Sequence, residues 1–138
     1  MIQTPPSFDD IADDFGFIED WDEKYRYLID LGRHLPPFPK DAQTEETKVR
    51  GCASQVWLTF EEKEGSLFIQ GDSDASIVKG LIALLISLYN GQSAEQIIKI
   101  NAEEKLKAID LNDHITPQRS NGVASMITRI RQVAEERL

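Results

Sequence analysis

The chain holds one thiol, Cys52, and two imidazoles, His34 and His114. These side chains could support nucleophilic or acid–base chemistry, so their setting decides what is open. A cysteine hydrolase needs a general base within hydrogen-bond reach of its sulfur, usually a histidine oriented by a third group. Neither histidine lies in a recognisable motif. His34 ends an amphipathic stretch before Pro36 and Pro37, where it suits the helix dipole, and His114 sits in Asn112-Asp113-His114-Ile115 ahead of another helix. A dithiol redox role lacks its resolving cysteine, and one thiol makes neither an intrachain disulfide nor a thiolate zinc cage. What one thiolate can do unaided is carriage: accept sulfur or an acyl group from a partner, hold it, and hand it on.

The run Val49-Arg50-Gly51-Cys52-Ala53-Ser54-Gln55-Val56-Trp57-Leu58 places the thiol in a turn just before a strand. A lone cysteine most often serves as a small buried hydrophobe. Against that, Cys52 lies between elements and not on an apolar stripe. Gly51 permits unusual backbone angles, the small Ala53 and Ser54 leave a sulfur accessible, and Arg50 is placed to favour a thiolate. Asp72 and Asp74 end the next strand, with Ser73 or Asp74 expected to cap the following helix. The other reading for Asp72 and Asp74 is a fixed negative patch or a loop anchor near Cys52. Arg119 falls in the first turn of the last helix, where a cation opposes the dipole, so it is expected to pair with an acid or to serve a partner interface.

The elements that must position these groups follow from periodicity. Ser7 caps a helix over 8–16 with Phe8, Ile11, Ala12 and Phe15 on one face. Asp20 and Glu23 open a second helix with the stripe Trp21, Tyr25, Leu28, Ile29 and Leu35, which Pro36, Pro37 and Pro39 stop. Residues 36–48 read as a polar loop. Alternation predicts an antiparallel hairpin over 54–62 and 66–71, broken at Gly71-Asp72-Ser73-Asp74. Residues 75–90 are apolar almost all round and belong in the core. Short helices are predicted over 93–99 and 102–109, and a long one over 117–137 behind Thr116-Pro117. Residues 1–6 read as a loose leader. This order predicts a single α+β domain over 1–138, with a small antiparallel sheet packed against several helices.

Fifteen basic against 24 acidic residues leave a net charge of −9, which argues against nucleic-acid binding. With 41% hydrophobic and 28% charged residues the balance is that of a folded globular protein. No apolar run reaches the roughly 18 residues of a membrane span, and the Asp-rich start without Lys or Arg does not read as a signal peptide, so a cytoplasmic location is expected.

Four segments resemble the SufE family and its CsdE relatives. Gly51-Cys52-x-Ser54-x-Val56-Trp57-Leu58 looks like that family's active-cysteine motif. Gln70-Gly71-Asp72-Ser73-Asp74-Ala75 with Ile77-Val78-Lys79-Gly80-Leu81 is similar to a second hallmark. Leu111 to Gly122, with His114, Thr116-Pro117 and Arg119-Ser120, is similar to a third, and Trp21-Asp22-Glu23-Lys24-Tyr25 with Leu31-Gly32 fits the early helix. The resemblance spans nearly the whole chain in register. It implies a SufE/IscU-like fold and a sulfur acceptor acting in iron–sulfur cluster assembly. Cys52 would take persulfide sulfur from a SufS- or CsdA-type cysteine desulfurase, stimulate it, and pass the sulfur to an iron–sulfur scaffold complex. The pyridoxal phosphate would belong to the desulfurase, and this chain would bind no cofactor or metal of its own. Such a chain is a sulfur-transfer partner and not a stand-alone enzyme. IscU-like scaffolds use three cysteines as cluster ligands, which one cysteine cannot reproduce. A homodimer and a monomer are both open, and a non-catalytic interaction module with an inert, buried Cys52 is the alternative.

Overall fold

The structure is a computed structural model that describes residues 7–138; the leader expected over 1–6 lies outside them. Six helices and one hairpin follow in the order α1 (Phe8–Phe17), α2 (Trp21–Arg33), β1 (Val56–Lys63), β2 (Ser66–Ser73), α3 (Ser76–Tyr89), α4 (Ala94–Lys99), α5 (Ala102–Ala108) and α6 (Pro117–Glu135). The α+β class and the helix order agree with the sequence patterns, and the caps are those the side chains dictate. Ser7 accepts from the Asp10 N–H, Asp20 from Asp22, and Thr116 from Arg119, while Ser93 and Gln96 form a reciprocal capping box.

α3 is the axis of the fold. Its nine buried residues run from Val78 to Tyr89, and α1, α2, α6 and the inner face of β2 all pack against it. Leu67 and Ile69 of β2 and Val56 and Leu58 of β1 face this helix side, each under 5% exposed, so the hairpin is a lid of alternating residues over an all-apolar helix. α2 and α3 cross closely at a pair of glycines. A side chain on Gly32 would meet the Gly80 nitrogen at 2.7 Å, and one on Gly80 would overlap the Leu28 carbonyl. Gly32, expected only to mark the end of α2, is therefore a buried crossing point.

The hairpin differs from expectation at its open end, and its turn lies at Gly65 as expected. Its turn is Glu64-Gly65, both at positive φ, the two-residue turn whose twist matches the strands. β1 begins at Val56 and not 54, because residues 50–55 form a loop. β2 runs on through Gly71, Asp72 and Ser73 to pair Ser73 with Val56, where a break had been expected. Gly71 is there for closeness: a Cβ would lie 2.6 Å from Ile82 and 2.9 Å from Leu58. The polar loop 36–48 also contributes pairing. Lys48 bridges Trp57, the Leu58 N–H donates to the Thr47 carbonyl, and the Val49 N–H donates to the Val56 carbonyl. Cys52 thus sits at the tip of a second, shorter hairpin whose arms are 47–49 and 56–58.

Candidate functional site

The loop between those arms lies along one face of α6 in the opposite direction to the helix. At its base, the Arg129 guanidinium donates to the carbonyls of Lys48 (2.8 Å) and Glu46 (3.2 Å). One turn nearer the helix start, Gly51 passes over Ser125; its φ is +90°, and a Cβ there would lie 2.5 Å from the Ser125 Oγ. One turn further, the Cys52 Sγ donates to the Gly122 carbonyl at 3.6 Å, and a Cβ on Gly122 would sit 3.3 Å from the sulfur. Residues 122, 125 and 129 share a helix face by their three- and four-residue spacing.

The other end of the loop is held at Gln55. Its N–H donates to Asp74 Oδ1 at 3.0 Å, and its carbonyl accepts from the Ser73 hydroxyl at 2.6 Å. Neither side chain caps α3. Ser73 also accepts from the Ala75 N–H, Ala75 occupies the cap position, and no side chain bonds there. The capping expected of Ser73 or Asp74 is corrected on this point: both oxygens are committed to the loop, and Asp74 stands as its anchor. Asp72 meets Gln43 Nε2 at 3.0 Å and Lys79 Nζ at 3.5 Å, tying the preceding polar segment to the sheet end.

Cys52 is half-buried, and burial pushes its thiol up from the usual value. Arg50 does nothing to counter this, because it pairs with Glu45 at 3.2 Å, both side chains well exposed. Beside the sulfur lies a recess of about 20 Å³ lined by Cys52, Ala53, Ser54, Val78, Leu81, Gln118, Arg119, Gly122 and Met126. That is room for about one water-sized group, against the roughly 300–1,000 Å³ of an ordinary small-molecule site. Arg119 is exposed at the rim with its backbone N–H on Thr116 Oγ1, and among the described residues it forms no ion pair. The pairing with an acid expected of it is not found there.

Neither histidine lines the recess. The His34 ring nitrogen lies 2.7 Å from the Asp30 carbonyl of its own helix, and His114 stacks on Trp21 with ring centres 4.0 Å apart and planes within 17°. Trp21 carries Lys24 over its ring at 4.9 Å and meets Tyr25 and Phe15 edge-on, so this end of the molecule is an aromatic clasp between α2 and the segment leading into α6. Among the described residues no three His, Cys, Asp or Glu side chains converge as a metal site, and no helix is long and apolar enough to cross a membrane.

The model of the SufE domain, described as an Fe-S metabolism associated domain, matches residues 9–134. The chain belongs to the SufE family. Two uncharacterized SufE-like proteins show the same membership: one of Rhizobium meliloti is 45% identical over 136 residues, covering 96% of this chain and 97% of its own length. One of Rhizobium etli is 45% identical over 135 residues, covering 95% and 91%. The solution structure of a hypothetical protein from Thermus thermophilus has the same fold, with a TM-score of 0.77 over 97% of both chains at 18% identity. SufE membership places the chain in iron–sulfur metabolism.

Sequence reasoning singled out Cys52, Asp74 and Arg119, named Ser73 only as a cap, and did not single out Ser125 or Arg129. The signal for the last two was present, as positions 122, 125 and 129 lie on one helical face. What was missing was which segment lies across it.

Proposed function

We propose that this SufE protein is a sulfur carrier. Cys52 accepts sulfur from the active-site persulfide of a pyridoxal-phosphate-dependent cysteine desulfurase, stimulates that enzyme, and delivers the sulfur to an iron–sulfur scaffold complex in the cytoplasm. The observation that carries the reading is the setting of the thiol: a lone cysteine on a loop tip, beside a recess the size of one extra atom, with no histidine lining it. Such a recess suits one terminal sulfur and excludes a substrate molecule, which favours carriage over hydrolysis.

The transfer is a thiol exchange. The Cys52 thiolate attacks the outer sulfur of the donor persulfide; the new bond joins that sulfur to Sγ, the old sulfur–sulfur bond breaks, and the donor cysteine leaves as a thiolate. No net oxidation occurs, because the sulfane sulfur moves at the same oxidation level. The resting thiol faces a carbonyl and is harder to ionise than a free one, so the reactive form arises when the tip turns away from α6 on the desulfurase. Arg119, free of ion pairs at the recess rim, then contacts the incoming donor or the partner surface.

The test is mass analysis after incubation with a SufS- or CsdA-type desulfurase and L-cysteine. The protein should gain the mass of one sulfur on Cys52, and a folded Cys52→Ser variant should gain none. A serine variant that still stimulates the desulfurase fully would replace carriage with regulation by binding alone.

A further inference from the structure

The 50–55 loop has two kinds of restraint. Its shape is kept by the short ladder between 47–49 and 56–58 and by the double hold on Gln55. Its position against α6 depends on other contacts: the Cys52 thiol on the Gly122 carbonyl, the passage of Gly51 over Ser125, and the two bonds from Arg129 to the Glu46 and Lys48 carbonyls. The first is a weak sulfur donor and the second is van der Waals contact, whereas hydrogen bonds from a charged guanidinium are the strong class. Arg129 is half-buried, and among the described residues it has no carboxylate partner, so its charge is satisfied by these carbonyls. A planar fork reaches two carbonyls two residues apart, which an ammonium cannot reproduce.

We propose that Arg129 is a positioning residue for Cys52: its hold on the Glu46 and Lys48 carbonyls docks the base of the loop on α6 and so sets how often the Cys52 sulfur leaves its seat at Gly122. Without it the ladder persists but the loop pivots off the helix as a unit, and the thiol four residues on goes with it. This deepens the carrier reading and rests on it for its biological meaning, yet the exposure of the thiol is measured without any desulfurase.

The experiment follows alkylation of Cys52 by iodoacetamide in the native chain, comparing wild type, Arg129→Ala and Arg129→Lys, in buffer and across low, sub-denaturing urea. A loop that opens locally reacts at a rate insensitive to urea, whereas exposure through global unfolding rises with urea along the slope of the whole transition. Arg129→Ala should react about tenfold faster, the factor that corresponds to about 1.4 kcal/mol of lost docking, with a rate flat in urea. Arg129→Lys should fall between the two. An unchanged rate, or a faster one that tracks global unfolding, would overturn the proposal and leave Arg129 as a brace of the polar segment. If the alanine variant does not fold, the lysine variant decides on the same terms: faster and flat in urea supports the assignment, equal to wild type overturns it. Failure of sulfur carriage leaves this readout untouched, since only reagent and thiol take part.

Discussion

The Cys52 sulfur and the Gly122 carbonyl face each other at 3.6 Å across the seam between the 50–55 loop and α6. An acceptor opposite the sulfur stabilises the thiol and not the thiolate, and partial burial acts in the same direction. The seat therefore favours the protonated thiol over the nucleophilic thiolate.

Gly122→Ala tests the seat directly. The added Cβ would sit 3.3 Å from Sγ, tighter than ordinary contact, so the sulfur is displaced. Alanine in a helix interior gains up to about 1 kcal/mol over glycine, which offsets the crowding. We expect stability within about 1 kcal/mol of wild type and alkylation of Cys52 several-fold faster. A seat that simply shifts with the methyl group would leave the alkylation rate at the wild-type value.

The pH dependence has a definite sign. The folded state holds the Cys52 proton above the unfolded value of about 8.5, so the thiol contributes stability in full below that pH. As pH rises past it, the unfolded chain ionises first and stability falls until the folded thiol also titrates. Urea midpoints for wild type and Cys52→Ser should converge or cross above about pH 8.5, with the serine variant the flatter of the two. Parallel curves over that range would mean that the thiol is not shifted. The alkylation rate of the native chain should likewise rise at higher pH than that of the unfolded one.

Gly80→Ala probes the crossing of α2 and α3. The methyl group would be forced against the Leu28 carbonyl, and backbone cannot step aside as a side chain can. Overpacking of this kind costs about 1–3 kcal/mol and occasionally more, against about 1 kcal/mol of helix propensity gained. A net loss of about 1–2 kcal/mol is expected in chemical denaturation. A neutral result would mean that the two helices separate at little cost.

Tyr89→Phe addresses a buried hydroxyl. Tyr89 is fully buried, its oxygen has no hydrogen-bond partner among the described protein groups, and burial together with Glu103 pushes it up to about 12. Phenylalanine keeps the ring and removes the orphan, so stability at neutral pH should be unchanged or up to about 1 kcal/mol higher. The variant should also lose the part of the alkaline decline that begins where unfolded tyrosine ionises, near pH 10, and runs to about 12. A loss of more than about 1 kcal/mol at neutral pH would show that the hydroxyl is bonded in solution.

Local rules made most of the elements legible. Capping residues at Ser7, Asp20, Ser93 and Thr116 fixed helix starts, because the backbone N–H groups they satisfy lie within three residues. The all-apolar run of α3 could only be central. The errors arose where a residue answers to a distant partner. Gly71 reads as a strand breaker until Ile82 is seen beneath it, and Gly32 reads as a helix end until Gly80 crosses it. Asp74 reads as a cap until the loop it holds, 19 residues earlier in the chain, comes into reach. Cys52 stood out in the sequence as the one thiol of the chain, in a turn before a strand. Its seat did not, because Gly122, Ser125 and Arg129 acquire meaning only once the loop is laid along their face.

The arm 47–49 covers the outer edge of β1 only as far as Leu58. Past that point, among the described residues, no chain pairs with Phe60 or Glu62, and a bare strand edge is a template for a second molecule. The segment carries Glu61, Glu62, Lys63 and Glu64 in succession. Two copies meeting edge to edge would set these acids against one another, so the same stretch that leaves its backbone open also repels its own kind. The charge on this stretch thus works against pairing of the bare edge with a second copy at high concentration.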